Sequence, residues 1–146
     1  MTSLTRSDWE QRAKTLTIET RAFVHGEYRD AESGATFECI SPVDGRLLGL
    51  VASCDQADAE LAVKDARATF DSGVWSRMAP AQRKKVLQRF AEGMLAARDE
   101  LALLETLDVG KPIRDSLATD VPSSARCITW YAEAVDKIYD EIAPTG

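Results

Sequence analysis

Val121, Ala125, Ile128, Ala132, Val135, Tyr139 and Ile142 alternate at steps of four and three, and Val86, Leu87, Phe90, Ala91, Met94 and Leu95 make a second apolar stripe upstream. Side chains three and four apart share one face of an α-helix, so each stripe needs another surface to bury it. Two such stripes in a chain of 146 residues make its second half a set of packed helices. Proline marks their limits. Pro80 suits a first turn, where its missing amide costs nothing, whereas Pro122 demands a helix start or a kink. A helix from Pro122 to Ile142 would run about 30 Å at about 1.5 Å per residue.

The remaining elements follow from local chemistry. Ser7 and Glu10 have capping-box spacing, which predicts a short helix through about Leu16. Residues 22–28 and 35–40 read as two short strands that pair as a hairpin across the polar segment containing Ser33 and Gly34. Ser41-Pro42-Val43-Asp44-Gly45 supplies a turn into a third strand, 47–53. Asp55 can cap a helix bearing Ala59, Ala62, Val63, Ala66 and Phe70, which ends before Ser72-Gly73. Asp99 is placed to cap a helix with Leu101, Leu104 and Leu107 on one side. Gly110 then offers a left-handed carboxyl cap ahead of Pro112. The expected fold is mainly helical with about three short amino-terminal strands. So small a sheet calls for further strands from other sequence or another subunit.

A net charge of −6 and a pI near 4.8 argue against nucleic acid, which needs a basic face to neutralise phosphate. Arg83, Lys84, Lys85 and Arg89 are the one dense basic cluster and read as a solvated helix face. No stretch approaches the roughly 20 apolar residues of a membrane span, and the first twenty residues are too charged for a signal peptide, so a cytoplasmic location is expected. Cys39, Cys54 and Cys127 are widely spaced and suggest neither a disulfide framework nor a zinc site. His25, the one histidine, has no partner histidine for a metal. Gly110-Lys111-Pro112 lacks the glycine spacing of a phosphate-binding loop, so Lys111 reads as a structural residue at a helix end.

Four blocks, Phe23 to Tyr28, Ser41 to Gly45, Trp75 to Pro80 and Glu105 to Pro112, together with Tyr131 to Lys137, are collinear with the amino-terminal pattern of the aldehyde dehydrogenase superfamily. The chain resembles that family over most of its length. Asp8 to Ala13, Gly110 to Leu117 and Asp120-Val121-Pro122 resemble the bacterial enzymes of polyamine and arginine catabolism, which oxidise gamma-glutamyl-gamma-aminobutyraldehyde or 4-guanidinobutyraldehyde.

The resemblance implies an α/β parent enzyme. A cysteine thiolate attacks the aldehyde, hydride passes to NAD or NADP, and a glutamate assists hydrolysis of the thioester. In the family those groups and the nucleotide-binding turn lie downstream of the matched region. Residues 1–146 are therefore expected to form the amino-terminal portion, part of the NAD-binding domain with strands of the oligomerisation region. The catalytic domain would be absent, the three cysteines structural, and no cofactor bound by this chain alone. The implied partners are a small aldehyde and further copies in a homo-oligomer, with neither nucleic acid nor membrane.

The resemblance also marks a monovalent-cation site at Ile40, through its carbonyl, and Asp108, with a third ligand from downstream. Asp108 acting only as a local cap or pair stays open beside it. Asp120 and Ser123 fall on the helix that lines the aldehyde entrance in relatives, where a carboxylate would favour a cationic substrate. The alternative is that Asp120 caps the helix beginning at Pro122. A different reading of the whole chain is an independent helical oligomerisation or binding module, whose stripes pair between copies.

Overall fold

The computed structural model describes residues 4–137, so Tyr139 and Ile142 of the stripe that begins at Val121 lie outside the described residues. The first helix, α1, spans Arg6–Thr15. Its cap is Thr5 rather than Ser7. The Thr5 hydroxyl accepts from the Asp8 amide at 3.3 Å and the Asp8 carboxylate accepts from the Thr5 amide at 2.7 Å. Ser7 already lies inside the helix, and Glu10 instead binds Arg6 across one turn at 2.8 Å.

The expected hairpin is replaced by two ribbons. Strands β1 (Ala22–Val24) and β2 (Glu27–Arg29) pair with each other, antiparallel, about a turn at His25 and Gly26. Both turn residues have positive φ, 58° and 77°, the combination whose twist matches a two-residue hairpin. What reads as one strand over 22–28 is therefore folded back on itself. Strand β3 (Thr36–Ile40) pairs instead with β4 (Leu47–Ala52), through the Ser41 to Gly45 turn. Gly45 there has φ 74° and its amide donates to the Ser41 carbonyl at 2.8 Å. The Ser33-Gly34 segment only joins the two ribbons.

Helix α2 (Gln56–Ser72) begins as its sequence predicts, with Asp55 accepting from the Ala57 amide at 2.8 Å. The Asp58 side chain completes a second box with the Asp55 amide and also accepts from the Glu32 amide at 2.9 Å. Those amide hydrogen bonds hold its carboxyl below the usual range and tie the helix start to the ribbon connection. Val63 and Phe70, from the apolar set of this helix, remain exposed.

Helices α3 (Pro80–Ala96) and α4 (Arg98–Val109) are separated by Ala97 alone. The Ala97 carbonyl already accepts the Leu101 amide, leaving no gap for a side-chain cap. Asp99 therefore sits in the first turn and, instead of capping, pairs with Arg12 at 3.0 Å. After Gly110 come α5 (Ile113–Asp115), a π-turn (Ser116–Asp120) and α6 (Val121–Ala134). Helix α3 packs along α6.

The buried apolar residues are Ala31, Ala91, Ala102, Leu103, Leu107, Val121, Ala125 and Ala132. Lys84 leaves the expected solvated face: its side chain is only 21% exposed and binds Glu133 at 2.6 Å and Asp136 at 3.4 Å on and just beyond α6. Gln88 adds a hydrogen bond to Glu133 at 2.8 Å.

Candidate functional site

The end of α4 carries Asp108 and meets the β3–β4 turn next to Ile40, while Asp120 reaches this corner through Lys111. Gly110 adopts φ 76°, and its amide closes the helix on the Thr106 carbonyl at 3.0 Å. A Cβ there would meet the Pro42 ring at 3.1 Å, so glycine also admits the β3–β4 turn against the helix end. The fully buried Ser41 hydroxyl donates to the Leu107 carbonyl at 2.7 Å. Cys39 donates its thiol to Asp108 Oδ1 at 3.3 Å. Ile40 lies between these two tethered residues in the chain.

A backbone carbonyl and a carboxylate are hard oxygen donors of the kind an alkali cation takes. Cys39 shares the Asp108 carboxylate. That hydrogen bond, followed by burial and the Asp108 charge, pushes the thiol pKa upward, which keeps it protonated and unsuited to nucleophilic attack. Cys54 and Cys127 are exposed.

Asp120 ends the π-turn, and the Val121 amide reaches back five residues to the Ser116 carbonyl. Pro122 explains the wide turn, since it offers no amide and its ring crowds the carbonyl four residues earlier. Asp120 does not cap α6: its backbone is helical and its side chain makes no capping bond. It forms an ion pair with Lys111 instead, across the Pro112 corner. The Asp120 hydrogen bond, partly opposed by burial, raises the Lys111 pKa, and Glu105 and Asp115 add negative charge around it.

Lys111, predicted to serve the helix end, therefore serves Asp120. Ser123 lies one turn further and accepts from Arg126 at 3.0 Å. Sequence reading missed the Lys111 pair, the Cys39 contact and the buried Ser41. The one available signal was the π-turn that Pro122 imposes, which shifts Asp120 toward the corner.

His25 pairs with Asp65 of α2 while 79% exposed, and this contact raises its pKa. No cluster of three or more metal-ligating side chains occurs among the described residues, and no helix among them is long and apolar enough to cross a membrane. A dinucleotide cradle needs a glycine-rich turn between a strand and a helix start. Helix α2, which follows strand β4, begins after Cys54-Asp55 rather than after a glycine-rich turn.

Residues 28–146 match the pattern of the aldehyde dehydrogenase family. The chain belongs to the aldehyde dehydrogenase family. It is 49% identical over 138 residues to the NADP/NAD-dependent aldehyde dehydrogenase PuuC of Escherichia coli, covering 94% of this chain and 28% of that protein. An indole-3-acetaldehyde dehydrogenase of P. syringae, solved in complex with NAD+, superposes with TM-score 0.96 at 63% identity, covering 98% of this chain and 29% of the other. Gamma-glutamyl-gamma-aminobutyraldehyde dehydrogenase from Burkholderia cenocepacia superposes with TM-score 0.96 at 52% identity, covering 98% and 29%. The chain thus spans less than a third of the length of these aldehyde dehydrogenases, and its mainly helical fold with short ribbons is that of their amino-terminal portion.

Proposed function

We propose that this chain acts as the amino-terminal portion of an NAD(P)-dependent aldehyde dehydrogenase that oxidises an amino-, guanidino- or gamma-glutamylamino-butyraldehyde to the acid. The observation that carries the reading is the carboxylate-rich corner, where Asp120, Glu105 and Asp115 surround the Lys111 ammonium. Negative charge at a substrate entrance concentrates cationic ligands. The similarity to a gamma-glutamyl-gamma-aminobutyraldehyde dehydrogenase supports the same class. In this reading Asp120 and Ser123 meet the incoming aldehyde. Ile40 and Asp108 hold a monovalent cation that fixes the β3–β4 turn against α4.

The chemistry itself, nucleophilic attack and hydride transfer, belongs to residues beyond these 146, and the chain alone is inactive. NAD binding and aldehyde oxidation, measured on the chain and on the chain continued by the downstream residues of a family member, test this. Activity only in the extended protein supports it; turnover by the short chain overturns it.

A second reading, a neutral aromatic aldehyde, is favoured by the Lys111 ammonium already lying on Asp120 and by the similarity to an indole-3-acetaldehyde dehydrogenase. Asp120→Asn in the extended enzyme separates the two. For the cationic reading, KM rises about two- to fivefold for a guanidino or amino aldehyde and stays unchanged for a neutral one, the scale of a partly exposed ion pair. An equal effect on both aldehydes favours the second reading.

A further inference from the structure

Lys111 sits where a substrate's cationic end would sit if Asp120 faces the aldehyde entrance. We infer that Lys111 is a specificity-determining residue, an internal competitor whose ammonium occupies the Asp120 carboxylate, so that an ammonium or guanidinium ligand reaches Asp120 only by displacing it. The inference rests on the entrance reading of Asp120 given above.

Three features of the corner support exchange rather than a fixed staple. Gly110 and Pro112 hold the backbone of Lys111 on both sides, while its side chain remains 38% exposed and can swing into solvent. A lysine ammonium is a hydrated point charge on a flexible stem and grips a carboxylate through one atom, whereas a guanidinium can bind both carboxylate oxygens at once. Asp120 Oδ2 is buried, and among the described residues the Lys111 ammonium is the group it meets. The neighbouring Arg114 is directed at Asp115, at 3.1 Å.

The competition also sets a direction for selectivity. A ligand with a bidentate cation gains more from Asp120 than the single ammonium loses, whereas a neutral ligand gains nothing and leaves Lys111 in place. Lys111 therefore lowers affinity for cationic ligands as a class relative to neutral ones, by the same displacement for each.

The test uses the full 146-residue chain with n-butylguanidinium and n-butylammonium as cationic probes and butyramide as the neutral one, with binding followed by NMR shifts of the backbone amides of residues 111–123. Far-UV circular dichroism shows that each variant keeps its helices. Lys111→Met, which keeps the stem and removes the charge, is expected to tighten both cationic probes by about threefold and leave butyramide unchanged. Lys111→Arg, which keeps the charge and grips Asp120 through two atoms, is expected to weaken them. Adding Asp120→Asn to Lys111→Met should cancel the gain.

Unchanged or weaker cation binding in Lys111→Met, or equal shifts for butyramide, overturns the inference. If Asp120→Asn weakens the cations while neither Lys111 variant moves them, the entrance reading stands and the competitor role falls. If Asp120→Asn moves nothing in any background, both fall.

Discussion

The α3, α4 and α6 group and the two ribbons satisfy their burial needs to very different degrees. Of the buried apolar residues, only Ala31 comes from the ribbon half, while Ala91, Ala102, Leu103, Leu107, Val121, Ala125 and Ala132 all belong to the helical group. Phe23, Tyr28, Phe37, Ile40, Leu47 and Leu50 on the ribbons stay exposed, with almost nothing buried beside them, whereas Phe90, Leu95, Val109, Trp130 and Tyr131 of the helical group are exposed around a buried centre. A helix closes its backbone hydrogen bonds internally and needs only one apolar stripe covered, so a few helices can complete one another. A two-stranded ribbon has two faces and two open edges and is marginal in water by itself.

The whole chain exposes 10864 Å², against about 7,400 Å² for a self-contained protein of this mass. The helical group is thus the part that holds this chain together, and the ribbons are surfaces that await a covering layer.

This contrast can be broken or sharpened by substitution. The largest effect is expected from Leu107→Ala, at the buried centre of the helical group, which should lower stability by about 2–5 kcal/mol in urea unfolding. A loss under about 1 kcal/mol would show the helical group to be loosely packed and remove the contrast. Next comes Ser41→Ala, which probes the one buried link between the ribbons and α4. Deleting the hydroxyl leaves the Leu107 carbonyl without its donor and should cost about 1–3 kcal/mol, with amide exchange accelerated in the β3–β4 turn. No change in that turn would mean the ribbon is held by other contacts.

The ion cluster between α3 and the end of α6 should show as pH dependence. Lys84, its hydrogen bond to Glu133 the main cause, is raised above 10.5, while Glu133 and Asp136 are depressed below 4.5 and 3.8 by their lysine partners. The carboxylates' contribution is full above those ordinary values and is lost as pH falls through the depressed ones. The lysine's contribution is full below pH 10.5 and is lost as pH rises through its raised value. Thermal melting of Lys84→Met should therefore lose part of the wild-type decline on both limbs; Lys137, which also binds Glu133 and Asp136, retains the rest. A melting profile identical to wild type across the acid limb would mean the cluster adds nothing to the helical group. The smallest effect is expected on the ribbons, where Leu50→Ala should change stability by no more than about 0.5 kcal/mol in this chain. A larger loss would mean that the ribbons already carry a core.

Much of this architecture is legible in local chemistry. Asp55 caps α2, Pro80 opens α3 and Gly110 ends α4 in the left-handed conformation because each depends on one or two residues of backbone. The family resemblance rests on collinear blocks that the match over residues 28–146 bears out. Reading failed where two local solutions were equally good. Thr5 and Ser7 can each cap α1, and the choice falls to the residue whose carboxylate partner, Asp8, reaches back to its amide. A strand over 22–28 and a hairpin about His25-Gly26 satisfy the same alternation, and pairing between distant segments decides between them.

The sequence by itself determined the starts of α2 and α3, the turn at Gly45, the left-handed cap at Gly110 and the family, because these depend on φ preferences, capping groups and short ordered motifs. Only the tertiary structure decided which ribbon pairs with which, that Cys39 meets Asp108 across 69 positions, and that Lys111 rather than a helix end claims Asp120. Those outcomes turn on which side chains arrive at the same point in space. Spacing along a chain does not encode that once a π-turn and a left-handed glycine have changed its direction.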